Sequence, residues 1–534
     1  MTEKYSSIAT FRYDLVAGLT VALVAIPQAL AYAELAGIPA YVGIYALSAA
    51  AIAAAFFASS PHLQVGPAVT TSLLTLGVLA TVAPLGSATY MTAAALLALI
   101  VGVVRVLLGL LGLGALAYLL AQPVLLGFVS AAALLILASQ VPAALGVVPE
   151  NGPIMARAFW ALSNVSSWNP AALVIAATTA AISLIGRRVH PAFPGVLIAI
   201  VAGIAYSHVF GYGGPVLGEM DGALPRPRLD LPYELLPGLL VGGAVIAIIG
   251  FSEAASIART YAIMDRRRWN AGREFISQGA ANIAAGVFGG FPVGASFSRS
   301  ALNRLAGAKT KWSGLVTGLC VLAFIPIMGL LSPLPKASLA GILIASVFGL
   351  LRLPELWRLR QYSRPQGHIA WITFGLTLLL APRIDYAVLA GIGLAVAHHL
   401  RREQRVLVDV WLDGEALNLR PRGVLWFGSA PLVEEVFNDA LERHTQAKEL
   451  VLRLGSLGRI DLSAAIMLGR LMNDAKKAGL TTRYVDVPPM AVSWVQRIWR
   501  EADESESEEA SDHEAESSPV NQKAVDDRPG RQFP

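Results

Sequence analysis

The chain has 534 residues, of which 55% are hydrophobic and only 14% are charged, with a formal net charge of +5. These proportions exclude an ordinary water-soluble enzyme and a disordered or fibrous chain, because a surface that faces water needs more charge. Between Asp14 and Arg157 the only charged residues are Glu34, Arg105 and Glu150. Residues 14–400 are therefore predicted to form a polytopic α-helical membrane domain.

Fourteen membrane segments are predicted by the rule that about 20 apolar residues cross a hydrocarbon layer of about 30 Å. They are 14–33, 43–58, 67–82, 89–109, 120–143, 170–186, 193–209, 235–262, 273–289, 296–307, 312–331, 337–351, 368–381 and 385–400. Segments 67–82 and 296–307 are too short to cross, and Gly, Pro or Ser residues precede both. Residues 1–13 are polar and are predicted to be a cytosolic segment rather than a cleavable signal.

The basic residues of the short loops predict the orientation. With all fourteen segments counted and the amino terminus inside, most of these residues fall in inward loops, which is the usual bias. Arg105 and the run Arg266-Arg267-Arg268 are counted among them. The protein is therefore expected in the cytoplasmic membrane, with both termini in the cytoplasm.

The two short segments resemble each other and predict an internal repeat. The runs Val65–Ser72 and Val293–Ser300 share Val, Gly and the last Ser at one constant offset of 228 residues. These segments are the third and the tenth of fourteen, so two halves of seven helices would have opposite orientations. Inverted repeats with interrupted short helices in matching positions are typical of secondary transporters, whose binding site lies at the interruptions.

The interrupted segments predict the binding site. A helix that starts inside the membrane has unpaired N–H groups and a partial positive charge, and an anion satisfies both. Arg299 would add a full positive charge, whereas the structural alternative is a side chain that reaches the membrane interface. Phe297 would line a pocket wall or pack. The candidate substrate-binding residues are Gln28, Gly66, Pro67, Ala68, Ser296, Phe297, Ser298 and Arg299.

Two carboxylates within the apolar segments are candidates for proton coupling or gating. Glu253 lies among small residues in the run Gly-Phe-Ser-Glu-Ala-Ala-Ser, and Glu34 lies near the outer end of the first segment. Ionisable groups inside a membrane are costly, so they indicate function by default. The alternative for each is a charge at a helix end. Protons are therefore the expected coupling ion, and neither a metal site nor an organic cofactor is expected.

After Arg402 the composition becomes that of a soluble domain. Strands at 416–419, 424–427, 449–454 and 481–487, with helices at 431–444, 462–478 and 489–499, predict a small cytosolic α/β domain over residues 401–500. Asp461 is expected to cap the second of these helices, with a regulatory role for Asp461-Leu462-Ser463 as the alternative. Residues 501–534 are acidic and polar and are predicted to be a disordered tail.

Several ordered motifs resemble the sulfate permease family, which includes animal anion exchangers and prestin. They include Ile26-Pro-Gln-Ala-Leu-Ala-Tyr32, Ser60-Pro-His-Leu-Gln-Val-Gly66-Pro67 and Gly294-Ala-Ser-Phe-Ser-Arg-Ser300. The C-terminal domain resembles the STAS domain. The resemblance implies a core and a gate domain built from seven plus seven inverted-repeat helices, an anion between the third and tenth helix starts, a homodimer and an elevator-like motion. Ala68 replaces an aromatic residue of some relatives, which suggests a roomier pocket.

The preferred hypothesis is a secondary anion transporter, not an enzyme, that couples a small anion such as fumarate, sulfate or bicarbonate to protons. Anion exchange is one alternative, and a nucleobase:proton symporter of the same fold is another. A third is a membrane scaffold or motor that does not transport. The expected partners are the anion, membrane lipid, a second copy of the chain and a cytosolic regulator at the C-terminal domain, with no nucleic acid.

Overall fold

The structure is a computed structural model. It describes residues 7–114, 121–150, 152–189, 193–220, 222–404, 406–489 and 492. Contacts between residues divide the chain into two units, with the division after Ala395. The predicted acidic tail and most of the helix predicted at 489–499 lie outside the described residues.

The described residues of the first half of the membrane unit form eight α-helices and one short strand. They are α1 (Ser7–Leu35), α2 (Ala40–Phe57), β1 (Val65–Gly66), α3 (Val69–Leu79), α4 (Ala88–Leu110), α5 (Gln122–Leu145), α6 (Ile154–Ser163), α7 (Pro170–Val189) and α8 (Gly195–Phe210).

The second half repeats this order. Its elements are α9 (Leu236–Met264), α10 (Ala271–Val287), β2 (Gly294–Ala295), α11 (Phe297–Leu305), α12 (Trp312–Phe324), α13 (Lys336–Val347), α14 (Leu353–Tyr362), α15 (Arg364–Leu379) and α16 (Ile384–Glu403). A 3₁₀ turn over Ile325–Leu331 extends α12.

Each of the fourteen predicted segments overlaps a helix, and the two-half organisation is confirmed. The sequence missed α6 and α14, which have 10 residues each. Both are too short to cross a membrane, and so the search for long apolar runs passed over them. They occupy the same position in the two halves, immediately after the fifth and the twelfth predicted segments, and this match is further evidence for the repeat.

The helices of the membrane unit have the composition of membrane spans. Seven helical stretches within the described residues are long and apolar enough to cross a bilayer, and shorter apolar helices such as α3, α7 and α8 accompany them. Large apolar side chains are exposed along these helices, including Leu19 on α1, Leu107 on α4 and Val201 on α8. Such an exposed apolar surface is stable against lipid tails and unstable in water.

Helix contacts divide the membrane unit into two groups. Helices α1–α4 and α9–α12 pack mainly among themselves, and we call them the core group. Helices α5–α8 and α13–α15 also pack mainly among themselves, and we call them the gate group. The contacts between the groups are made chiefly by α1, which touches α8 and α13, and by α3, which touches α5.

Glycines allow α4 and α10 of the core group to approach until their backbones touch. A Cβ atom added to Gly102 would lie 2.9 Å from the Gly279 carbonyl oxygen, and one added to Gly279 would lie 2.8 Å from the Gly102 carbonyl oxygen. Gly286 faces the Ala95 carbonyl in the same way, at 2.7 Å. Inside a membrane the hydrophobic effect does not drive helices together, because lipid tails are as apolar as the side chains. Small residues at the crossing let the helices associate through close backbone packing instead.

In its described residues the C-terminal unit contains a five-stranded sheet and two helices. Its elements are β3 (Leu407–Asp413), β4 (Ala416–Leu425), α17 (Ala430–Arg443), β5 (Glu449–Arg453), β6 (Leu457–Ile460), α18 (Leu462–Lys477) and β7 (Thr481–Val485). The strand order is β3-β4-β5-β7, and β6 pairs with β4. The pairings are parallel except for the antiparallel pair β3–β4.

The sequence prediction of this unit was right in its α/β character and wrong in several strands. The two strands predicted at 416–419 and 424–427 are one strand, because Gly423 forms an irregularity at which β4 changes its partner from β5 to β6. Strand β3 was missed because none of its residues is fully buried, which weakens the apolar alternation. The predicted cap is confirmed, since the Asp461 carboxylate accepts a hydrogen bond from the Ala464 amide at 2.8 Å.

The glycine contact between α4 and α10 leads to a test of the core packing. In Gly279→Ala the new methyl group would press on the backbone of α4, so the midpoint of thermal unfolding should fall, with a cost of about 1–3 kcal/mol. Gly375→Ala on α15 is the matched control, because no atom lies within 4 Å of the added Cβ. Alanine favours a helix over glycine by about 1 kcal/mol, so the control should be neutral or slightly more stable. Equal shifts in the two purified variants would contradict the packing described here.

Candidate functional site

Strands β1 and β2 bring the two halves of the repeat together. They pair antiparallel, with Val65 opposite Ala295 and Gly66 opposite Gly294. Gly66 and Gly294 are also the residues that the offset of 228 makes equivalent. Equivalent residues that face each other in an antiparallel pair lie on a local two-fold axis, and so this axis passes through the strand pair.

Helices α3 and α11 begin immediately after the two strands. Ala68 is the N-cap of α3 and has no side chain that could cap the helix, whereas the Ser296 hydroxyl of α11 accepts from the Arg299 amide. Residues Ala68 and Ser296 are both buried. Two helix starts with free N–H groups are therefore held side by side within the protein, which is an arrangement that favours a bound anion.

Arg299 joins the two helix starts. Its side chain is only 1% exposed, and its Nη2 donates to the Pro67 carbonyl oxygen at 2.7 Å. Its Nε and Nη1 atoms are buried and have no hydrogen-bond partner in the protein. A buried guanidinium with unpaired donors is costly unless a negative partner is present. The structure therefore places Arg299 in the protein interior, not at the interface as the alternative had it.

Gln28 supplies a second set of unpaired polar atoms. It lies on α1, which packs against both α3 and α11, and its side chain is fully buried. Neither its Nε2 nor its Oε1 has a hydrogen-bond partner in the protein. An amide can donate to an anion or accept from a protonated one.

The remaining predicted residues differ in their surroundings. Gly66 has no room for a side chain, because an added Cβ would lie 2.4 Å from the Leu47 Cδ1. The Ser298 hydroxyl lies 3.2 Å from the Ser296 hydroxyl and is half-buried. Phe297 is 53% exposed and does not join the buried residues.

A cavity of about 310 Å³ leads to Ser298. Its lining includes Thr20 and Val24 of α1 on the core side, and Ser183 of α7 and Gly195 of α8 on the gate side. The cavity thus lies between the two helix groups, which is where an anion could enter the site if the groups move relative to each other.

The two candidate carboxylates are held differently. Glu253 on α9 is half-buried, and its Oε1 accepts a hydrogen bond from the Thr70 hydroxyl of α3 at 2.5 Å. No ion pair to Glu253 occurs in the part of the chain that the structure describes. Glu34, at the end of α1, forms an ion pair of 3.0 Å with Lys336 at the start of α13, and both side chains are partly exposed.

The sulfate permease family matches this chain over residues 11–373. The chain belongs to this family. A probable sulfate transporter of Mycobacterium tuberculosis (strain CDC 1551 / Oshkosh) is 34% identical over 396 residues, which make up 73% of this chain and 70% of that protein. The protein is therefore a multi-pass membrane protein that transports anions. Since the family consists of transporters, it is not an enzyme.

Two solved structures have the same fold. The murine solute carrier 26 family member A9 anion transporter, in its inward-facing state, gives a TM-score of 0.85 at 20% identity, over 93% of this chain and 89% of that chain. The transmembrane domain of a cyanobacterium bicarbonate transporter gives 0.62 at 25% identity, over 72% of this chain and 97% of that one.

The position predicted for Arg105 was wrong. It was counted among the inward loops, but it is fully buried within α4. Its guanidinium donates to three backbone carbonyl oxygens, those of Val293 at 3.0 Å, Ala247 at 3.1 Å and Ile246 at 3.2 Å. A lone arginine five residues before the end of an apolar helix is itself a signal, because an intramembrane charge faces the protein interior.

Asn282 on α10 was missed altogether. Its Oδ1 accepts from the Val293 amide at 2.9 Å, and its Nδ2 donates to the Val293 carbonyl at 3.1 Å. Together with Arg105 it therefore satisfies the backbone of the residue that precedes β2. A polar amide in the small-residue run Ala-Ala-Asn-Ile-Ala-Ala was the available signal.

Proposed function

We propose that this permease binds a small anion between the starts of α3 and α11 and carries it across the cytoplasmic membrane together with protons. The observation that carries the proposal is Arg299, a buried cation that spans the two helix starts and has two unpaired nitrogen donors. A bound oxyanion would accept hydrogen bonds from these donors and from the unpaired N–H groups of the helix starts.

The substrate is a small oxyanion such as sulfate, bicarbonate or a dicarboxylate of the size of fumarate. A single buried guanidinium and two helix ends offer donors to carboxylate or sulfate oxygens. A neutral nucleobase carries no negative charge to match the buried cation of Arg299. Ala68 is smaller than the aromatic residue of some relatives, so a dicarboxylate is the preferred test beside sulfate.

The transport step is a movement of the core group against the gate group. The candidate site belongs to the core group, whereas the cavity that reaches Ser298 has walls from both groups. The ion pair between Glu34 and Lys336 joins the groups, so it would break as they slide. Partly exposed ion pairs contribute little free energy, which makes this contact easy to exchange.

Proton coupling is assigned to Glu253. Its hydrogen bond to Thr70 links the carboxyl group to the first turn of α3, at the proposed anion site. An ionised carboxylate beside the site repels an incoming anion, and protonation removes that repulsion. Anion binding and protonation at Glu253 therefore favour each other, which is the requirement for symport.

The assembly we propose is a homodimer in the membrane, with a cytosolic regulator bound to the C-terminal unit. The motif resemblance to dimeric anion exchangers supports the dimer. The exposed apolar side chains Phe427, Leu462 and Ile466 of the C-terminal unit support a contact with a partner protein.

The role of Arg299 is tested by uptake of labelled sulfate and fumarate into proteoliposomes. Arg299→Ala removes the charge and should lower uptake by at least about tenfold, since one charge-assisted hydrogen bond contributes about 1.4 kcal/mol or more. Arg299→Lys keeps the charge but lacks the planar guanidinium, so its uptake should lie between that of the wild type and that of Arg299→Ala. Arg358→Ala, on the exposed face of α14, is the control and should transport normally. Normal uptake by Arg299→Ala would overturn the site.

The role of Glu253 is tested by uptake with and without an imposed pH gradient. Glu253→Gln keeps the size and the hydrogen-bonding capacity of the side chain but cannot exchange a proton, so its uptake should not respond to the gradient. Glu34→Gln loses only the ion pair with Lys336 and should still respond. A gradient response in Glu253→Gln equal to that of the wild type would rule out Glu253 as the proton site.

A further inference from the structure

A second cavity, of about 230 Å³, lies at one end of the core group. It is formed by the segment that follows α2, by the end of α9 with the loop to α10, and by the loop between α11 and α12. We call it the basic cavity, and the lining residues used below are His62, Asp265, Arg267, Arg268, Lys309 and Lys311. None of its lining residues belongs to the candidate anion site.

The basic cavity lies on the side at which α1 begins. The Asp14 carboxylate, in the first part of α1, accepts hydrogen bonds from the Lys309 and Thr310 amides at 2.8 and 3.0 Å. The loop bias predicts that this side faces the cytosol. The cavity is thus predicted to be open to soluble cytosolic anions and to lipid headgroups of the inner leaflet.

The lining carries an excess of positive charge. Arg267, Arg268, Lys309 and Lys311 line the cavity, and among the described residues of its lining Asp265 alone is a carboxylate. Both oxygens of Asp265 are already engaged, one by the His62 Nε2 at 2.8 Å and the other by the Arg304 Nη2 at 2.7 Å. In the described part of the chain no ion pair reaches Arg267 or Arg268. The cavity therefore attracts an anion.

His62 adds a specific hydrogen-bonding group. It is 7% exposed, and its Nδ1 is buried without a partner in the protein. Burial lowers the pKa of the His62 imidazole, although the contact with Asp265 acts in the opposite direction. In the neutral ring, Nε2–H donates to Asp265. The Nδ1 atom is then a hydrogen-bond acceptor, available to an O–H donor of the ligand.

We propose that the basic cavity binds a phosphate group that carries one proton. Its ionised oxygens would accept hydrogen bonds from the arginines and lysines, and its P–OH group would donate to the His62 Nδ1. Inorganic phosphate keeps such a proton at neutral pH, whereas sulfate is fully ionised and has none to donate. The site is therefore selective for phosphate over sulfate, unlike the proposed transport site.

The test measures binding of labelled inorganic phosphate to the full-length protein in phosphatidylcholine nanodiscs at constant ionic strength. Phosphate should bind in the presence of excess sulfate. The double variant Arg267→Gln/Arg268→Gln should lose at least about tenfold in affinity, which corresponds to about 1.4 kcal/mol. The matched control Arg401→Gln/Arg402→Gln, on exposed residues of α16, should bind as the wild type does.

Further arms separate this site from the transport site and identify the source of the phosphate. Arg299→Ala should retain phosphate binding, even if its anion uptake is lost. Displacement of bound phosphate by phosphatidic acid, but not by phosphatidylglycerol, would identify a lipid headgroup as the ligand. Failure of both lipids to displace it would identify a soluble phosphate.

Three results would overturn the proposal. Sulfate could compete as well as phosphate, Arg267→Gln/Arg268→Gln could bind with wild-type affinity, or Arg299→Ala could abolish binding. Uptake of labelled sulfate by Arg267→Gln/Arg268→Gln shows whether that variant is folded, because neither arginine belongs to the transport site.

Discussion

The need to satisfy backbone polar groups away from water governs this structure. Helices α3 and α11 start within the protein, and the strands before them, β1 and β2, do not have the hydrogen bonds of a helix. Such backbone is stable at membrane depth only if protein groups or a water-filled cavity complete its hydrogen bonds. Here β1 and β2 complete each other's bonds, while Arg105 and Asn282 satisfy Val293 just before β2.

The polar groups that remain unpaired mark the candidate site. The strand pair and the buried supports use most of the polar atoms near the two helix starts. The Nε and Nη1 atoms of Arg299 and the side-chain amide of Gln28 are left without partners in the protein. Each of the three Arg105 nitrogens donates to a carbonyl oxygen, which indicates a structural role, whereas the unpaired nitrogens of Arg299 make it a candidate for anion binding. The two buried arginines therefore differ in their hydrogen bonds, although both are buried.

The sequence predicted much of the fold and most of the candidate site. Long apolar runs indicated the helices, and the matched Gly and Ser residues near Gly66 and Gly294 indicated the repeat, because these signals are local. Arg105 and Asn282 could not be assigned in this way, since the partner they share, Val293, lies in the segment just before β2. The basic cavity was also missed, because its lining is assembled from three chain segments more than 30 residues apart. Strand β3 was not predicted for a different reason, namely that its two faces are equally half-buried and its sequence does not alternate clearly.

The central claim is that the anion lies between the starts of α3 and α11, against Arg299. Crystals grown with selenate, a heavier isostere of sulfate, allow the anion to be located by anomalous scattering. The account predicts a peak within hydrogen-bonding distance of the Arg299 Nη1 and of the amides that follow Ala68. A selenate that is transported but gives its only peak elsewhere in the membrane unit would contradict the account.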